Sequence, residues 1–131
     1  MATVAPRWVE SRRVLVVDDY VPGAHSLENV LSEIGFTARI AHDGLTALEI
    51  AAEFRPDYVL LDIVLPILDG CEVARRLRML PPFRRARIIA VTGLRDYMDR
   101  ASFLELGFDD HLAKPFSISQ LLRTLRPRDQ A

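Results

Sequence analysis

Residues 58–66 read Tyr-Val-Leu-Leu-Asp-Ile-Val-Leu-Pro, an unbroken apolar run that delivers one carboxylate and then ends. A short run rich in Val, Leu and Ile is the pattern of a strand covered on both faces. Asp62 falls where that strand should stop, and Pro66 with Asp69-Gly70 marks a loop leading into a helix. A lone charge inside a covered strand is costly. An Asp at the carboxyl end escapes this, because its side chain can project into the crevice where open α/β sheets bind ligands.

The rest of the chain repeats the pattern. Residues 13–17 form an apolar strand ending in Asp18-Asp19, and residues 36–41 a short one. Residues 87–92 end in the hydroxyl of Thr92, and residues 110–114 end in Lys114, stopped by Pro115. Helical patterns separate the strands. Leu27, Val30, Leu31 and Ile34 make one apolar face, stopped by Gly35. Asp43 can cap a helix to about residue 54, with Leu48, Ala51 and Ala52 inward. Asp69 and Glu72 have capping-box residue types ahead of Val73, Leu77 and Leu80, and Pro81-Pro82 ends that helix. A fourth helix is expected over 95–106. A fifth starts at the Ser117–Gln120 box and carries Ile118, Leu121, Leu122 and Leu125. Five β-α units with short links predict a single doubly wound α/β domain, its five-stranded parallel sheet covered on both faces. Residues 1–12 are expected as a flexible N-terminal arm, with Trp8 and Val9 able to pack on the domain edge. The domain runs over 13–126, and 127–131 form a polar tail.

The length of 131 residues fits one domain, and half of them are hydrophobic, enough for a full core. A net charge of −1 argues against nucleic acid as a direct partner, which would need a basic face. The single cysteine, Cys71, excludes an internal disulfide and suits a reducing cytoplasm. No signal-peptide pattern opens the chain, and no apolar run approaches the ~20 residues of a membrane span. Of 17 basic residues only Lys114 is a lysine.

Parallel strands place their carboxyl ends on one edge, so Asp18, Asp19, Asp62, Thr92 and Lys114 should converge there. Clustered carboxylates resist ionising together. A hard divalent cation relieves that conflict, and Mg²⁺ takes oxygen ligands. An Asp carboxylate can attack phosphorus and form an aspartyl phosphate. Mg²⁺ and Lys114 would neutralise the transferred group while the Thr92 hydroxyl donates to it. The chemistry expected is phosphoryl transfer.

These stretches, VLVVDD, LLDIVLP with ILDG, AVTG and HLAKPF, make the chain resemble a receiver domain of bacterial two-component response regulators, over roughly residues 13–125. The wording AVTG, GFDDHLAKP and DIVLP is most similar to receivers associated with hybrid histidine kinases. The resemblance implies a flavodoxin-like fold and a signalling phosphoacceptor rather than an enzyme. Asp62 would take a phosphoryl group from the phosphohistidine of a histidine kinase or histidine phosphotransfer protein, in the cytoplasm, and switch contacts with a downstream protein. Asp19 would hold Mg²⁺ directly and Asp18 through water, with Asp62 and the Val64 carbonyl completing the set. Thr92 and Lys114 would contact the phosphoryl group, and the Lys114-Pro115 bond would be cis. Thr92 and the residue at position 111 would form the switch.

The departures from that pattern are specific. His111 stands where many receivers have Tyr or Phe; it either fills half-buried space or acts as a polar switch, since free His titrates near ~6.5. Val64 and Leu94 are apolar where polar residues can position a hydrolytic water, which implies a long-lived aspartyl phosphate and slow self-hydrolysis. Phe103 and Leu106 stand where Ala is usual, so the fourth helix should sit differently. Arg75, Arg76, Arg78, Arg84, Arg85 and Arg87 read as a solvated basic face, and His25 and His42 as surface residues. One alternative is a degenerate receiver that binds partners without phosphorylation; retention of all five rim residues weighs against it. Another is a phosphatase of the haloacid dehalogenase type, which needs an Asp where Val64 stands. A nucleotide or flavin domain would need a Gly-rich phosphate loop, and none follows the first strand.

Overall fold

The computed structural model describes residues 6–93 and 99–127. Strands and helices alternate in chain order. They are β1 Arg13–Val17, α1 Val21–Ile34, β2 Thr37–Ala41, α2 Gly44–Phe54, β3 Tyr58–Asp62, α3 Gly70–Arg78, β4 Arg87–Thr92, α4 Arg100–Glu105, β5 Asp110–Ala113 and α5 Ile118–Leu125. The strands form one sheet in the order β2-β1-β3-β4-β5, every pairing parallel. This is the doubly wound α/β fold expected from the sequence, with β3 at its centre.

Alternation along each strand sends side chains to two separate cores. Leu15, Val17, Val59, Leu61, Ile88 and Ala90 pack on one face, against Ala47 and Ala51 of α2, Val73 and Leu77 of α3 and Phe103 of α4. Val14, Val16, Tyr58, Leu60, Ile89 and Val91 pack on the other, against Ala24 and Leu31 of α1 and Leu121 and Leu125 of α5. Hence the central strands read as continuous apolar runs.

Local chemistry starts the helices where expected. Asp43 Oδ1 accepts from the Thr46 N–H at 2.7 Å, and Asp69 Oδ1 from that of Glu72 at 3.0 Å. Ser117 and Gln120 complete a reciprocal capping box. Glu72 does not reach back to close its own box; its carboxylate turns to Arg75 and Arg76, which hold its pKa at about 2.

Some expectations shift. In α2 the inward face is Ala47, Ala51 and Phe54, and Ala52 is exposed, because it lies one step round the helix from that face. Leu80 is 44% exposed, since α3 ends at Arg78, and Ile118, the first helical residue of α5, is 53% exposed. The chain after α3 forms a short 3₁₀ turn, Pro81–Phe83. α4 begins after its cap Asp99, whose carboxylate accepts from the Ser102 N–H; the expected start at residue 95 and Leu94 lie outside the described residues. The arm is not loose throughout. Arg7–Val9 forms a 3₁₀ turn with Val9 fully buried, and Trp8 packs edge-on against Phe36 at 5.9 Å. Residues 1–5 of the arm and 128–131 of the tail are outside the described residues.

Candidate functional site

The carboxyl edge of the sheet gathers the polar residues. Asp18 and Asp19 follow β1, Asp62 ends β3, Thr92 ends β4 and Lys114 follows β5. Carboxylate oxygens of Asp18, Asp19 and Asp62 lie within 4.8 Å of one another. Lys114 Nζ sits 3.0 Å from Asp18 Oδ2 and 3.8 Å from Asp62 Oδ2. The ammonium therefore neutralises part of a charge cluster that would otherwise repel itself.

Burial is graded across the group. Asp18 and Thr92 are buried, Asp62 is half-buried and Asp19 is exposed. Asp18 is fixed by its neighbours: Oδ1 accepts from the Tyr20 N–H at 2.9 Å, and its carbonyl lies 3.0 Å from His42 Nδ1. At Asp62, Oδ1 accepts from the Val64 N–H at 2.9 Å, leaving Oδ2 toward Lys114. Burial raises the Asp62 pKa; the Val64 N–H and Lys114 pull it back, and the charges of Asp18 and Asp19 push it up again.

Three oxyanions of graded exposure around one open rim are the donor set a hard divalent cation takes. The Val64 N–H is engaged with Asp62, while its side chain is 61% exposed at the mouth of the site. Ile67, in the same loop, is 81% exposed and holds a positive φ of 70°. Gly70 closes the loop from below. A Cβ there would stand 2.2 Å from the Asp62 carbonyl oxygen, so only glycine lets the start of α3 press against the end of β3. The Gly70 N–H donates to the Ile63 carbonyl at 3.1 Å.

On the β5 side, the Lys114 N–H donates to the Thr92 carbonyl at 2.8 Å, and the Lys114-Pro115 bond is cis. This pairing carries Lys114 from the sheet's edge strand toward the carboxylates. His111 is paired in register with Ala90, and Thr92 with Ala113. His111 does not fill half-buried space: it is exposed, and its ring stacks on Phe103 at 5.2 Å with 10° between planes. Phe103 is itself buried edge-on against Phe108 at 5.9 Å. The bulk at position 103 is thus accommodated by keeping the His111 ring outside it.

His42 and two arginines of the expected solvated face depart from the sequence reading; one of these, Arg87, is 17% exposed and donates to the Arg126 carbonyl. His42 is half-buried against the Asp18 backbone rather than free on the surface, while His25 lies 3.8 Å from Glu28 and is exposed. Arg78 is no part of a solvated face. It donates to the carbonyls of Phe83, Ala86 and Gly107 and pairs with Asp109. Only its spacing from Gly107 and Asp109 in the fold, not along the chain, reveals this.

Comparison with known proteins points one way. The response regulator receiver domain family matches residues 14–126. The response regulator MprA of Mycobacterium ulcerans is 42% identical over 120 residues, covering 88% of this chain and 49% of that protein. The chain therefore spans about half the length of the curated relatives it matches. Among solved structures, the chemotaxis protein CheY4 of Vibrio cholerae is similar with a TM-score of 0.81 and 27% identity, covering 88% of this chain and 96% of that one. The receiver domain of sensor histidine kinase PA1611 from Pseudomonas aeruginosa, with a magnesium ion in its active site cleft, is similar with a TM-score of 0.77 and 34% identity, covering 86% and 93% of the two chains.

Proposed function

The chain belongs to the response regulator receiver domain family, and from that membership we propose that it is the phosphoacceptor of a two-component relay, with Asp62 as the residue modified. An Asp62 oxygen attacks the phosphorus of a phosphohistidine on a histidine kinase or phosphotransfer protein. The P–N bond breaks and its electron pair returns to the donor's imidazole. The observation that carries this reading is the position of Lys114 Nζ, 3.0 Å from Asp18 and 3.8 Å from Asp62. It sets a cation beside the carboxylate that would bear the phosphoryl group. Thr92 would donate its hydroxyl to the same group.

Asp18, Asp19 and Asp62 would hold Mg²⁺, as their carboxylate oxygens lie within 4.8 Å of one another, and the Val64 carbonyl would complete the set. Bound there, Mg²⁺ supplies positive charge against the phosphoryl oxygens. Asp18, anchored by Tyr20 and His42, would keep its place as Lys114 turns from carboxylates to phosphoryl oxygens. Thr92 and His111 would relay the change to α4 by shifting the balance between two packings. The output would be an altered protein contact, which the near-neutral charge suits better than direct nucleic-acid binding. The likeness to a sensor-kinase receiver supports the finer kinship with kinase-associated receivers. Among the described residues no helix is long and apolar enough to cross a membrane; we place the domain in the cytoplasm.

The test is incubation with Mg²⁺ and acetyl phosphate, followed by intact-mass measurement. One added phosphoryl group is expected, absent in Asp62→Asn and absent with chelator. Modification that persists in Asp62→Asn would overturn the assignment.

A further inference from the structure

The opposite edge of the sheet, where strands begin, carries a second polar constellation. Arg12, Arg55, Arg85 and Arg87 ring a cleft of about 550 Å³ together with Asp57 and Asp109. That volume is in the range of small-molecule sites. The two carboxylates are already committed. Asp57 Oδ2 accepts from the Arg13 N–H at 2.8 Å. Asp109 Oδ2 accepts from the Ile88 N–H at 2.8 Å and pairs with Arg78. Arg87 donates to the Arg126 carbonyl at 2.9 Å and lies 3.8 Å from Asp110. Among the described residues, no ion pair or hydrogen bond engages the guanidinium groups of Arg55 and Arg85, and both residues are exposed.

A separate observation lies at the floor of the cleft. Tyr58, the first residue of β3, is 2% exposed, yet its O–H has no hydrogen-bond acceptor. The groups acting on that hydroxyl are Arg12, by its charge and as a donor toward the phenol oxygen, with Arg87 and Asp57, all three lining the cleft. Burial raises its pKa, and it stays a neutral donor. A buried donor without an acceptor is a cost that a bound oxygen would remove. Three proline rings, Pro56, Pro82 and Pro127, give the cleft stiff apolar walls.

We propose that this cleft binds a phosphate-rich small anion, with phosphate oxygens on Arg55, Arg85 and Arg12 and the Tyr58 hydroxyl behind Arg12. Guanidinium forks match phosphate oxygens in pairs, and several converging here favour a ligand with at least two phosphates over a single carboxylate. The flat proline walls would take the base of a nucleotide; inorganic polyphosphate would use the arginines alone. The site is independent of the Asp62 rim, from which the length of β3 separates it.

Calorimetric titration with ADP, pyrophosphate and citrate, all in chelator, tests this. ADP or pyrophosphate should bind one-to-one. The double variant Arg55→Ala, Arg85→Ala should weaken binding about tenfold or more. Tyr58→Phe should weaken it while leaving the unliganded melting temperature unchanged or raised, and Asp62→Asn should bind as the parent does. ADP tighter than pyrophosphate identifies a nucleotide, and the reverse an inorganic polyphosphate. No saturable binding of either, binding that survives the double variant, loss in Asp62→Asn, or citrate bound as tightly as the phosphates would each overturn the proposal.

Discussion

At Asp62 burial is the largest influence and lifts the pKa above the ordinary 3.8, against the Val64 N–H and Lys114. A carboxyl whose folded pKa is raised binds its proton more tightly folded than unfolded. Stability therefore falls as pH rises from about 3.8 through the folded value. Asp62→Asn should accordingly raise the melting temperature at pH 7 without divalent cations, with the gain vanishing below that window. Asp43 has the opposite sign: hydrogen bonds from Thr46 lower its pKa, so its contribution is present at neutral pH and lost on acidification. Gly70 tolerates nothing larger, because an added Cβ would meet the Asp62 carbonyl at 2.2 Å. Gly70→Ala should cost about 1–3 kcal/mol in denaturant unfolding and slow phosphoryl uptake by displacing Asp62. Val64, 61% exposed beside Asp62, offers a water no polar handle. Val64→Asn should shorten the aspartyl-phosphate half-life in a timed dephosphorylation assay, and an unchanged half-life would refute that role.

Among the elements, α3 shows how local pattern and tertiary demand divide the work. Its cap and its inward Val73 and Leu77 were readable from spacing, because helical period alone sets them. Its last residue, Arg78, was not. Seen in the chain it is one arginine among six; folded, it ties α3 to the turn before β4 and to the start of β5. Gly107, at φ 98°, turns its carbonyl to Arg78 Nε at 2.8 Å. Arg78→Ala would take a donor from four carbonyls, those of Phe83, Arg84, Ala86 and Gly107, and an ion-pair partner from Asp109. A loss of about 2–3 kcal/mol is expected by chemical denaturation, below that of a fully buried pair because Arg78 and Asp109 are 21% and 38% exposed. Arg75→Ala, on the exposed side, should leave the denaturation midpoint nearly unchanged.

Over the whole molecule, the apolar runs were enough to give strand order of appearance, parallel pairing and the edge at which the polar residues meet. That is because a covered strand can carry a charge only where it ends. The shared edge of Asp18, Asp19, Asp62, Thr92 and Lys114 was legible for this reason, and the three carboxylates and Lys114 come together there. The second polar edge was not legible. Its arginines come from strand starts and loops far apart in the chain, and Tyr58 reads as one more apolar residue until its O–H is seen to lack an acceptor. The aromatic stack of His111 on Phe103 was equally hidden, since it depends on where α4 rests against β5.

The place of β3 in the sheet has a mechanical consequence. It is clamped by β1 on one side and β4 on the other, whereas β5 is held from one side only. A push delivered at Asp62 by the proposed phosphorylation would thus meet an anvil, and the give would lie at the outer flank, where a four-residue strand and a six-residue helix are the lightest of the described members. Amide hydrogen exchange should be slowest at residues 59–61, much faster at 111–113, and altered by beryllofluoride chiefly along that flank.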